Sequence, residues 1–107
     1  MNILFICSRN RWRSLTAEKI FDGVNGIEAR SAGTEPNARI RVTAGRLARA
    51  DIVFVMEKKH LRRLQDKFAD AIAHKKIICL HIGDDYEFMQ PELVDLLEAS
   101  VAPHLSE

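Results

Sequence analysis

At 107 residues, 47% hydrophobic and 29% charged, the chain has the size and balance of one compact domain with a single core, spanning residues 1–107. Its net charge of +1 excludes the strongly basic balance of a nucleic-acid binder. The longest apolar runs, five residues each, fall far short of the roughly 20 that cross a bilayer, and two cysteines are too few for a disulfide framework; a cytoplasmic protein with no membrane or nucleic-acid partner is expected.

In chain order, residues 2–7 (NILFIC) form a near-continuous apolar run that suits a strand buried on both faces of a parallel sheet. Ala17, Ile20, Phe21 and Val24 then recur at i, i+3, i+4 and i+7, the stripe of an amphipathic helix ended by Asn25-Gly26. Residues 27–32 give a second strand closing on Gly33, a loop holds Pro36 and Asn37, and a short helical piece covers Thr43 to Ala50. Residues 51–56 (DIVFVM) read as a third strand, Leu61, Leu64, Phe68 and Ile72 as the stripe of a helix, and residues 76–80 (KIICL) as a fourth strand. Pro91 opens a last helix with Leu93, Val94, Leu97 and Val101 on one side. Strands alternating with helices predict an α/β fold: a three-layer sandwich, with a four-stranded parallel sheet between helices on both faces. Ligands of such sheets bind at the carboxyl ends of the strands, the edge where Cys7 and the later "GDDY" both fall.

Charge is distributed unevenly. Residues 1–50 carry nine Lys/Arg against four Asp/Glu, and residues 51–107 seven against eleven, so the first half is the expected anion site. Its centre is "CSRNRWRS", residues 7–14, in which Cys7 is followed after five residues by Arg13 and Ser14. Five residues between a strand and a helix suffice to curl backbone N–H groups around three phosphate oxygens, with the helix N-terminus adding its dipole. Arg13 closes the ring by gripping two oxygens. The same positive loop favours thiolate over thiol, and only thiolate is nucleophilic. Ser8, Arg9, Asn10, Arg11, Trp12, Arg13 and Ser14 are therefore the candidate phosphate-binding loop, and Cys7 the candidate nucleophile after the first strand. Asn10 suits a mid-loop position that needs φ > 0, and Trp12 suits either a pocket wall or helix packing.

"CSRNRWRS" followed by "AEKIF", "SAGT" (31–34) and "DIVFVMEKKHLRRL" (51–64) resembles the low-molecular-weight protein tyrosine phosphatases and their arsenate reductase relatives through nearly the whole chain. The resemblance implies a two-step reaction through a cysteinyl-phosphate with no cofactor or metal. Cys7 is then the nucleophile, Arg13 the phosphate-binding arginine, Asn10 the loop-stabilising asparagine and Ser14 the hydroxyl bonded to the thiolate. The family's acid lies in a D-P-Y loop, which "IGDDY" matches with Asp84 as acid, Asp85 at the proline position and as second choice of acid, and Tyr86 as the pocket's aromatic wall. The chain departs from the family at Arg9, where a glycine is usual, at Trp12, where a second cysteine is usual, and in a shortened segment between "SAGT" and "DIVFVM".

The implied partner is a phosphorylated substrate, phosphotyrosine or a small aryl phosphate, with inorganic phosphate or sulfate able to occupy the loop. Two alternatives stay open: an arsenate reductase or thiol redox switch in which Cys79 resolves Cys7, and a non-catalytic phosphate-binding module. Cys79 among apolar neighbours otherwise reads as a core thiol. His60, His74, His81 and His104 lack metal-ligand spacing and read as surface residues, as do the lysine and arginine pairs at 58–59, 62–63 and 75–76.

Overall fold

The computed structural model describes residues 1–105, two short of the expected 1–107 domain. Four strands form: β1 (Asn2–Cys7), β2 (Glu28–Gly33), β3 (Ile52–Val55) and β4 (Lys76–Cys79). Between and after them lie α1 (Arg13–Phe21), α2 (Ala44–Arg49), α3 (Lys58–Ile72) and α4 (Pro91–Val101). All strands are parallel in the order β2-β1-β3-β4, so the α/β sandwich read from the sequence is the one that forms. Strand boundaries differ from the expected ones by about a residue, within the ordinary uncertainty of element ends.

Strand alternation divides the core into two layers. Ile3, Phe5, Phe54 and Met56 point to the face covered by Ala17 and Phe21 of α1 and Leu93, Leu97 and Val101 of α4. Leu4, Ile6, Val53 and Val55 point to the face covered by Leu47 of α2 and Leu64 of α3. Phe5 stacks between Phe21, at 5.7 Å, and Phe54, at 5.4 Å. Each fully buried Phe contributes roughly 1.5–3 kcal/mol through apolar burial. Val24 departs from the predicted stripe: α1 ends at Phe21 and Val24 is 43% exposed. The chain turns instead at Asp22, whose carboxylate accepts from Ala29 N, and passes through left-handed conformations at Gly23, Asn25 and Gly26.

The order of strands decides where a site can lie. From β1 the chain runs to β2 on one side, then returns past β1 to β3 on the other, which leaves a crevice at the carboxyl end of β1. Cys7 is the last residue of that strand, in register with Gly33 of β2. Among the described residues no helix is long and apolar enough to cross a membrane.

Candidate active site

Cys7 ends β1 and Arg13 opens α1, so the loop between them is held at both ends by buried elements. Its carbonyls are turned outward. Cys7 O accepts from Thr34 N at 3.0 Å, Ser8 O from Glu35 N at 2.9 Å, Arg9 O from Arg39 N at 2.9 Å, and Asn10 O from Arg39 Nε at 3.2 Å. With four successive carbonyls facing residues 34–39, the N–H side of the loop is left toward its concave centre. Asn10 makes the curl possible by adopting φ 58°, a conformation that asparagine tolerates better than most residues. Arg9, at the family's glycine position, lies outside the positive-φ region, so its side chain introduces no backbone strain there.

Gly33 explains the "SAGT" segment. A Cβ at this position would lie 2.5 Å from Ser8 O and 2.6 Å from the Ala38 Cβ, closer than real side chains approach. Only glycine lets β2 and the following loop pack directly against the backbone of the Cys7 loop.

The thiol sits at the centre of a polar network. Cys7 is buried, its Sγ is 2.9 Å from Ser14 Oγ, and it accepts from Asn10 N at 3.2 Å. Ser14 Oγ accepts from Asn10 Nδ2 at 2.8 Å, which frees the hydroxyl proton to be donated to sulfur. Donors converging on one sulfur suit an anion there.

Arg13 is 2% exposed and is held by groups from two other elements. Its Nη1 donates to Glu57 Oε1 at 2.6 Å and to Ile82 O at 2.8 Å, while Nε is 3.8 Å from Asp84 Oδ1. These bonds fix the guanidinium plane, and among the described residues Nη2 has no partner. Burial opposes ionisation of Glu57, but its hydrogen bond and charge interaction with Arg13 outweigh that, and its carboxyl sits below the usual value.

His60 corrects an expectation. It is fully buried rather than at the surface, because its ring bridges two parts of the site. Nδ1 accepts from Glu57 N at 3.0 Å, so Nε2 carries the proton and donates to Ser8 Oγ at 3.0 Å. Burial, then the nearby Arg13 charge, hold its pKa at about 4, and the ring is neutral at neutral pH. His104 is half-buried, edge-on to Phe54 at 5.8 Å, whereas His74 and His81 are exposed as expected.

A cavity of about 450 Å³ opens above the loop, lined by Cys7, Ser8, Arg9, Arg11, Trp12 and Arg13 together with Glu35, Asn37, Lys59 and Asp84. Of the two candidate acids, Asp84 lines this cavity and Asp85 does not. Tyr86 is half-buried against the core cluster under α4 and is also absent from the lining. Trp12, 46% exposed, is wall rather than packing. Asn10 and Ser14 lie beneath the cavity, where they hold the thiol. The sequence reading missed Glu57, His60 and Glu35, although Glu57 and His60 stand three apart immediately before the apolar stripe of α3, the spacing of reciprocal contacts at a helix start.

Cys79 is a half-buried free thiol. It packs on the α2/α3 side of the sheet while Cys7 belongs to the α1/α4 side, with β3 between their strands. Two strand spacings amount to about 10 Å, beyond the Cα separation of about 7 Å that a disulfide can bridge without backbone movement.

Residues 2–46 match the family model described as low molecular weight phosphotyrosine protein phosphatase, a span that includes the whole Cys7–Ser14 loop and Gly33. The tyrosine phosphatase Wzb from Escherichia coli K30, solved in complex with phosphate, superposes with TM-score 0.79 at 22% identity, covering 98% of both chains. The tyrosine phosphatase amsI of Erwinia amylovora gives 0.77 at 20% identity over 99% of this chain and 93% of its own. A YwlE mutant from Bacillus subtilis gives 0.71 at 22% identity over 100% and 99%. No curated protein matches the chain. Residues 2–46 match that family's model, and over its length the chain has the fold of these solved phosphatases.

Proposed function

We propose that the chain is a cysteine-dependent phosphatase of the low-molecular-weight type, hydrolysing phosphomonoesters of the phosphotyrosine or aryl phosphate type through a cysteinyl-phosphate intermediate. The observation that carries this reading is the Cys7 sulfur, held by Ser14 Oγ and Asn10 N in a loop whose first four carbonyls, Cys7 to Asn10, are bonded to residues 34–39. In the first step the Cys7 thiolate attacks phosphorus opposite the leaving oxygen, the P–O ester bond breaks, and Asp84 gives its proton to that oxygen. Loop amides and the Arg13 guanidinium hold the three equatorial oxygens as charge shifts onto them. In the second step the Asp84 carboxylate takes a proton from water, the water oxygen attacks phosphorus, and the S–P bond breaks to release inorganic phosphate and thiolate.

Wzb of Escherichia coli K30 was solved with phosphate bound, the ligand this loop is expected to hold. The opposite faces occupied by Cys7 and Cys79 argue against a redox switch between the two thiols. Rapid-quench hydrolysis of p-nitrophenyl phosphate tests the proposal. Wild type should give a burst of nitrophenol with a phosphoenzyme on Cys7, and Cys7→Ser should lose turnover while still binding phosphate. Undiminished hydrolysis by Cys7→Ser would refute it, and phosphate binding by wild type without any hydrolysis would identify a binding module instead.

A further inference from the structure

Two cations of the loop have no part in that reaction. Arg9 and Arg11 line the cavity and are exposed, and among the described residues neither side chain has an ion-pair or hydrogen-bond partner. The carboxylates beside them are engaged with other cations: Glu35 with Arg63 at 2.5 Å, and Asp84 near Arg13 at 3.8 Å. Lys59, the remaining cation of the lining, is 3.6 Å from Glu57. Two positive charges therefore stand uncompensated on one wall, next to a third on Arg13.

Their backbone is not free to carry them elsewhere. Arg9 O accepts from Arg39 N, and Asn10 O from Arg39 Nε, so the points at which both side chains leave the loop are fixed. Those same bonds bring a third exposed arginine, Arg39, to the outer side of the loop, and the positive surface continues past the cavity. A phosphoryl group needs only the floor, the amides and Arg13. The cavity of about 450 Å³ is far larger than that, and the exposed face of Trp12 supplies an apolar surface for an aromatic ring beside the arginines.

We infer that the substrate is the phosphoryl group of an acidic polypeptide: the phosphorylated residue enters the loop, and neighbouring carboxylates, or a second phosphate, meet Arg9 and Arg11. The continuation of the positive surface to Arg39 favours a chain that extends across the rim over a compact bisphosphate. This inference rests on the phosphatase reading and adds the substrate's second charge to it. Exposed ion pairs are individually weak, each giving a few-fold, so two arginines together give about a tenfold preference that salt screens.

The test compares one phosphotyrosyl peptide carrying flanking glutamates with its isosteric flanking-glutamine version. Wild type should show kcat/KM about tenfold higher for the glutamate peptide in low salt and within about twofold in roughly 0.5 M NaCl. In Arg9→Ala/Arg11→Ala the ratio of the two peptides should fall to about one, and in Arg9→Glu/Arg11→Glu it should invert. Equal kcat/KM for both peptides in wild type would overturn the inference, as would an equal loss on both peptides in the alanine variant, since the arginines would then serve only the phosphoryl group. Calorimetric binding of the same peptides to Cys7→Ser separates this inference from the reaction. Tighter binding of the glutamate peptide without wild-type turnover would sink the phosphatase reading alone, and equal binding would sink this one.

Discussion

The two loops that bring chemistry to the cavity are built on opposite principles. The Cys7–Ser14 loop is firmly anchored: its first four carbonyls are spent on residues 34–39, its thiol on Ser14 and Asn10, and Arg13 is 2% exposed between Glu57 and Ile82 O. The segment 81–90, which brings Asp84, is tied down to either side of that residue, at Ile82 and at Met89 N, but holds the carboxylate itself loosely. Asp84 is 60% exposed, and its contact with Arg13 Nε spans 3.8 Å. A nucleophile must be presented to phosphorus within a fraction of an ångström, so rigidity there lowers the barrier. An acid must reach a leaving oxygen and then a water, and tolerates a looser mount.

The strongest way to break this contrast is to weaken the anchored loop. Arg13→Ala removes the proposed clamp and leaves Glu57 with only Lys59 at 3.6 Å, so kcat for p-nitrophenyl phosphate should fall roughly a thousandfold and stability by about 2 kcal/mol, read by steady-state kinetics and urea denaturation. Gly33→Ala touches no reacting group, but its Cβ meets Ser8 O and the Ala38 Cβ. The loop must shift to admit it, and a displacement of about 1 Å costs on the order of a hundredfold in kcat. On the looser side, Asp84→Asn should cost about a hundredfold, more for a poor leaving group than for nitrophenol, which needs little protonation. Asp85→Asn should stay within about twofold, because Asp85 does not line the cavity. Equal losses from the two aspartate variants would mean that segment 81–90 rearranges when substrate binds.

How legible each loop was in the sequence follows the same division. The Cys7 loop is local: strand, five residues and helix stand consecutively, the apolar run before and the stripe after fix its ends, and Cys7, Asn10, Arg13 and Ser14 fall within eight positions. The supports of that loop were invisible for the complementary reason. Glu57 meets Arg13 across 44 residues and His60 meets Ser8 across 52, contacts that only the return of the chain to β3 creates. Charge patterning made "EKKHLRR" look like a solvated helix start, and for Lys58, Lys59, Arg62 and Arg63, all exposed, that reading fits. The distinction between Asp84 and Asp85 was also beyond the sequence, since adjacent acids in a loop carry no periodicity to say which one faces inward.

His60 offers the mildest perturbation of the braced side, because its ring can be charged without changing a residue. Its folded pKa of about 4 lies below the unfolded value of 6.5, so the unfolded chain binds the proton more readily through that window. The contribution to stability is complete above about pH 6.5, declines as pH falls, and levels off below about pH 4, reaching a loss of about 2 kcal/mol by roughly pH 5. Protonation makes both ring nitrogens donors, so the bond accepted from Glu57 N is lost while Arg13, Lys59 and Arg63 repel the new charge and Glu57 partly offsets them. Glu57, whose carboxyl is held low by Arg13, weakens the fold only below its own unfolded value of 4.5, which leaves the interval from 4.5 to 6.5 to the histidine. Denaturation of wild type and His60→Gln across pH 4.5 to 7 should therefore show a slope in the first that is flattened in the second. Parallel curves would mean that the buried ring does not carry the acid sensitivity of this brace.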